Sequence, residues 1–163
     1  MTAERLTTVV TPTDRALMLG DVKSLAPADR IHLVRQLVDD AGLRWGGSPP
    51  VILVSADGRL VPYLTKSGAD MLAQLRGASI VQLDVADSGD TIDVTAHARA
   101  SDGRTNVDTG SCEYQPDQPK TRARARMVAT TRARRRVILG LLGSGFAWSQ
   151  EGDAALGLED SDD

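Results

Sequence analysis

A single cysteine, Cys112, stands among 163 residues, which excludes an intramolecular disulfide and any cysteine metal cluster. Its simplest place is a buried strand position. Only two histidines are present, His32 and His97, and neither has a second Cys or His at ligand spacing, so a zinc site is not expected. Aromatic residues make up 3%, so the core has to be built from Val, Leu, Ile and Ala. No apolar run approaches the roughly 18–20 residues that a membrane helix needs, and no signal peptide is visible. A soluble, cytoplasmic protein is expected. Catalytic signatures are equally scarce. The glycines Gly140, Gly143 and Gly145 follow a predicted helix instead of opening one, so they make no dinucleotide fingerprint. A phosphate-loop motif is absent, and adjacent carboxylates occur only at Asp39-Asp40 and near the C-terminus. The expectation is a non-enzymatic protein that uses no cofactor and no metal.

What the chain has in excess is cationic charge in one place. Its formal charge of −3 is a sum of unlike regions. Residues 1–119 carry 11 basic and 16 acidic side chains, or −5, and residues 151–163 carry 6 acids and no base. Between them, Lys120, Arg122, Arg124, Arg126, Arg132, Arg134, Arg135 and Arg136 form a block of eight cations without an acid. Ordinary surface helices interleave the two signs. A concentrated cationic block in an acidic chain points to a local anionic partner.

Taken in order, Met1 to Val10 reads as a loose arm or an edge strand. Thr11-Pro12 predicts a helix start, with Ala16, Leu17 and Leu19 before Gly20. Pro27 opens a second helix whose apolar stripe is Ile31, Val34, Val38 and Ala41, ended by Gly42. His32 falls off that stripe and reads as solvated, and Trp45 to Pro50 reads as a loop. Asp57-Gly58 between Val51–Ser55 and Leu60–Leu64 predicts a hairpin. Thr65 caps a short helix carrying Ala69, Leu72, Ala73 and Leu75, closed by Gly77. Ile80–Val85, Thr91–Arg99 and Thr105–Tyr114 then predict a three-strand meander, joined by two Asp- and Gly-rich turns. On its middle strand His97 belongs to the polar face.

From Pro119 the sequence predicts one long helix, cationic first and buried later, with Gly143 or Gly145 as its stop. A wheel centred on Met127 gathers Ala123, Thr130, Thr131, Ile138, Leu141 and Leu142 into one stripe, with Arg134 on it. A charge there needs a partner, a path to solvent or an anionic ligand. The fold class is α+β: an antiparallel β-meander plus a β-hairpin, with the long basic helix packed on the sheet. Residues 1–150 are expected to form one domain, and 151–163 a disordered acidic tail. The tail reads either as a solubilising end or as a competitor for the Arg block.

A basic helix over a twisted sheet makes a groove able to follow a phosphate backbone, with affinity that falls steeply with salt. Only Trp45, Tyr63, Tyr114, Phe146 and Trp148 could stack on bases, so Arg has to make most of the contacts. An acidic protein is the alternative partner for the same helix, and a non-annealing accessory protein is the alternative role.

Three stretches carry a family likeness: LVDDAGLRWGGSPP at 37–50, LVPYLTKSGADMLAQLRGASI at 60–80 and TTRARRRVILGLLGSGF at 130–146. They resemble the phage single-strand annealing recombinases, the RecT/Redβ/Erf group and the related Rad-type annealing proteins. The resemblance implies a β-β-β-α core, ATP-independent binding of single-stranded DNA, annealing of complementary strands and homo-oligomeric rings or filaments. It further implies a phage exonuclease or a host single-strand-binding protein as partner. By position, Arg134, Arg135 and Arg136 match the family's basic cluster, and Tyr63 and Lys66 its strand-to-helix junction. Lys66 reads equally well as a solvated cation, and Tyr63 as a core residue. Phage members often carry Glu where Thr130 stands, and Arg124 and Arg126 enlarge the cation block. The expected DNA-binding set is therefore Tyr63, Lys66, Lys120, Arg122, Arg124, Arg126, Arg132, Arg134, Arg135 and Arg136.

Overall fold

A computed structural model of the chain describes residues 11–56 and 58–142. The expected N-terminal arm, Asp57 of the hairpin turn, the stop at Gly143 or Gly145, Phe146, Trp148 and the acidic tail lie outside the described residues. The elements are α1 (Pro12–Met18), α2 (Pro27–Asp40), β1 (Val51–Ala56), β2 (Arg59–Leu64), α3 (Lys66–Leu75), β3 (Ala78–Asp87), β4 (Thr91–Ala100), β5 (Thr105–Glu113) and α4 (Pro119–Leu142). The architecture is the expected α+β one: a hairpin, a three-strand antiparallel meander ordered β3-β4-β5, and the long helix packed on the meander. The hairpin is a separate two-stranded sheet and does not extend the meander.

Local chemistry sets the boundaries. Thr11 caps α1 through a reciprocal box with Asp14, each side chain answering the other's backbone N–H. Thr65 accepts from the Gly68 amide to cap α3. β1 and β2 pair from Val51 with Leu64 to Ala56 with Arg59, a register that leaves two residues for the turn. The Asp21 carboxylate accepts from the Leu60 and Lys23 amides, and the Val22 amide donates to the Leu60 carbonyl at 2.8 Å. The loop between α1 and α2 thereby closes the outer edge of β2.

Two apolar layers meet on α4. Ile92, Val94, Ala96, Ala98 and Ala100 of β4 pack against Ala125, Ala129, Ala133 and Val137 of the helix. Leu139 on the same helix joins Val38, Val51, Leu64 and Leu72 from α2, the hairpin and α3. The contact with β5 is unusually close. At Gly110 an added Cβ would lie 2.4 Å from the Ala129 carbonyl oxygen and 2.5 Å from the Ala133 nitrogen.

Several expected faces are rotated. On α2, Ile31 is exposed and Leu33 is buried in its place, among Ala16, Val22 and Leu25. Leu75 of α3 is exposed too. On α4 the stripe centred on Met127 is buried only at its C-terminal end, at Ile138 and Leu141; at its N-terminal end Met127 is 65% exposed and Ala123 is open. The buried positions, Ala125, Val128, Ala129 and Ala133, begin within the cationic half, so charge and burial are interleaved and do not follow one another. The wheel gave weight to the larger Met, while the sheet takes the smallest side chains, because close helix–sheet approach needs alanine and glycine.

Candidate nucleic-acid interface

The arginines of α4 fall into groups with different neighbours, and the neighbour decides what each can do. Arg132 and Arg136, one helical turn apart, reach β5 and donate to the carbonyls of Ser111 and Thr109 at 2.7 and 2.9 Å. They serve the sheet edge. Arg135 is 1% exposed: its guanidinium sits 4.2 Å from the centre of the Tyr63 ring and donates to the Tyr63 hydroxyl. Tyr63 is itself buried beside Val54 and Val61. The expected placement of Tyr63 and Arg135 on a DNA-facing surface is therefore corrected. They form an internal cation–π pair that joins the hairpin to α4; the low-dielectric surroundings strengthen the contact and offset part of the cost of desolvating the guanidinium.

Arg134 differs from its neighbour. The wheel placed it on one stripe with Thr131 and Ile138, and it lines a cleft with both, 40% exposed at its side chain and with its Nη2 3.8 Å from Asp70, so it has both a partner and a path to solvent. Lys66 reaches the same Asp70 carboxylate at 2.9 Å from one turn away on α3. The fold thus brings two expected binding residues together around an acid. They line a cleft of about 390 Å³, with Thr131, Gln74 and Ile80 on its walls.

At the other end of α4, Arg122 forms an ion pair with Asp87 of β3, 2.7 Å from Nε. Asp87 also accepts from the Gly89 amide and from the Tyr114 hydroxyl. The Gly89 amide first, then Tyr114 and Arg122, hold its carboxyl below the usual value of 3.8. The same contact pushes the Tyr114 hydroxyl and the Arg122 guanidinium up. A carboxyl whose folded pKa is depressed stabilises the fold above about pH 3.8 and loses that contribution as the pH falls through its folded value. Asp87→Asn should therefore lower the melting midpoint at pH 7, and its gap to the wild type should close below about pH 4. A gap independent of pH would show that the carboxylate charge is not what matters.

Beside this pair lies a second cleft of about 490 Å³, lined by Arg122, Ala123, Arg126, Val85 and Ile92. Lys120, Arg124 and Arg126 are exposed, and the first turn of α4 holds no acid. The two clefts lie on the β3 flank of α4, because α4 packs on β4 and β5 and barely touches β3. From Arg122 to Arg134 the flank runs 12 residues, or about 18 Å of helix. The opposite face of the sheet carries Asp84, Asp93 and Glu113 against Arg99, and is acidic. There His97 meets Asp84 at 3.0 Å on the polar side, as its place in the strand predicted.

Asp70 and Asp87, which organise the two clefts, were not singled out from the sequence. The four-residue spacing of Lys66 and Asp70 was a usable helical signal. Asp87 was hidden in a turn motif, and its link to Arg122 spans 35 residues. Among the described residues, no group of three or more His, Cys, Asp and Glu is placed to hold a metal ion, and no helix is long and apolar enough to cross a membrane. No protein-family model matches the chain, and no curated protein is significantly similar to it.

Proposed function

We propose that the β3 flank of α4 binds single-stranded nucleic acid and that the protein anneals complementary strands without nucleotide turnover. The observation that carries this reading is the run of cations along one open flank: Arg122 and Arg126 at one cleft, Arg134 and Lys66 at the other. Its span of about 18 Å corresponds to roughly five nucleotides at a stacked spacing of about 3.4 Å. Capture is electrostatic. Tyr63 is buried, so base stacking on its ring contributes nothing, and the Tyr114 hydroxyl is held by Asp87. Lack of base reading suits annealing, which must accept any sequence and leave base edges free for the complementary strand. Asp70 acts as a placeholder anion: its 3.8 Å approach to Arg134 is loose, and a phosphate would replace it.

The test is fluorescence anisotropy with a labelled single strand and its duplex across a salt series. A Lys120→Ala/Arg126→Ala variant should bind more weakly and lose about 1.4 from the single-strand salt slope, about 0.7 for each phosphate contact removed. Asp70→Asn should tighten binding at low salt. If the wild type binds neither form at low salt, the reading fails, and α4 becomes a docking surface for an acidic protein. Binding with no acceleration of annealing would leave a nucleic-acid accessory protein.

A further inference from the structure

The two edges of the meander are treated differently. β5 is closed by Arg132 and Arg136, which occupy the Thr109 and Ser111 carbonyls, and by Asn106, which ties the strand to the Val137 carbonyl. β3 has no such cover: among the described residues, no side chain hydrogen-bonds its backbone. It is ten residues long, lacks Pro and Lys, and leaves Val81, Leu83 and Val85 55, 40 and 45% exposed. Unpaired edges of this length are templates for another strand, and proteins normally blunt them.

We infer that β3 pairs with β3 of a second copy, antiparallel and about a two-fold axis through Leu83. The occupant follows from the asymmetry, since a closed β5 cannot accept the open β3 of a neighbour and a second copy offers β3 from this sheet. The register follows from self-complementarity. Centring on Leu83 sets Leu83 against its own mate and Val85 against Val81, the residue left unpaired by the irregularity between Ile80 and Gln82. On the acidic face it sets the Gln82 amide against the Asp84 carboxylate and keeps Asp84 from facing its own mate. All the large exposed apolar side chains of the strand are covered at once.

The consequence rests on the binding reading above. A two-fold axis normal to the sheet makes six continuous strands with both α4 helices on one face. The two cationic flanks then run side by side in opposite directions, the relation that two complementary strands need. Sheet pairing of this kind closes at two copies, so a ring or filament would have to use other surfaces.

The experiment uses the whole chain with Cys112→Ser. Directly opposed residues in an antiparallel pair have Cα atoms about 4.5–5.5 Å apart, within the disulfide range. Leu83→Cys should therefore crosslink to a dimer on mild oxidation, whereas Val107→Cys on β5 should not. In sedimentation at tens of micromolar, the wild type should run at twice 17.3 kDa and Leu83→Lys as a folded monomer. Leu83→Lys should keep single-strand binding while annealing slows by about tenfold or more, since one complex no longer holds both strands. A wild type that sediments as a monomer, or crosslinking at Val107→Cys and not at Leu83→Cys, overturns the dimer and leaves the binding reading untouched. Loss of binding with the dimer intact does the reverse.

Discussion

Gly110→Ala is expected to destabilise the protein by about 3 kcal/mol or more, a fall of roughly 10 °C in the melting midpoint. The new methyl carbon would meet the Ala129 oxygen at 2.4 Å, the Ala133 nitrogen at 2.5 Å and the Arg132 Cβ at 2.7 Å. Two of the three are backbone atoms of a helix held along its length, so no rotamer change relieves them. The helix has to lift from β5, which also lengthens the Arg132 and Arg136 bonds to the strand. Gly140→Ala is the control. Its methyl meets only the Asn106 side-chain amide, which can swing away at the cost of its bond to the Val137 carbonyl, a loss that the gain of about 1 kcal/mol in helix propensity over glycine roughly offsets. Thermal melts of the two variants should differ sharply. A Gly110→Ala protein as stable as the wild type would mean that α4 is not seated on β5 at this point.

Arg135→Ala should cost about 3 kcal/mol by emptying a fully buried site and leaving the Tyr63 hydroxyl without its donor. Arg135→Met should cost much less, because an apolar side chain of similar volume fills the site without a charge to desolvate. Chemical denaturation of the pair checks both. If Arg135→Ala keeps its stability and instead weakens nucleic-acid binding, the side chain faces ligand and the pair with Tyr63 is not structural. The distinction matters for any mutation of the basic cluster as a unit. Changing Arg134, Arg135 and Arg136 together would remove one groove cation, one core residue and one edge clamp. Loss of binding in such a variant would follow from loss of the fold.

Elements were legible wherever local chemistry sets them. Thr11-Pro12, Thr65, the Asp-Gly turn and the alternation of β4 each predict a boundary from a few neighbouring residues, and each element is present. Burial was harder, because it depends on what arrives from elsewhere. Nothing near Met127 says that its flank of the helix stays open. Nothing near Gly110 says that an alanine row will press on it. The basic block was plain in the sequence, but its division was not. Arg132, Arg135 and Arg136 are bound to partners 21, 72 and 27 residues away, and such distances leave no periodic trace. The proposed site is a smaller set than the sequence suggested, with Lys66, Arg122, Arg126 and Arg134 at its centre.

The first turn of α4 holds no acid and its last turn no base, with Lys120 and Arg122 gathered at the beginning. Aligned peptide groups already place about half a positive charge at that end. The helix is thus charged against its own macrodipole at its start, where the Asp87 carboxylate bound to Arg122 offsets part of the conflict. A bound anion removes the conflict. If the proposed phosphate contacts form at this end, binding and the stability of the first turn are linked, and each strengthens the other.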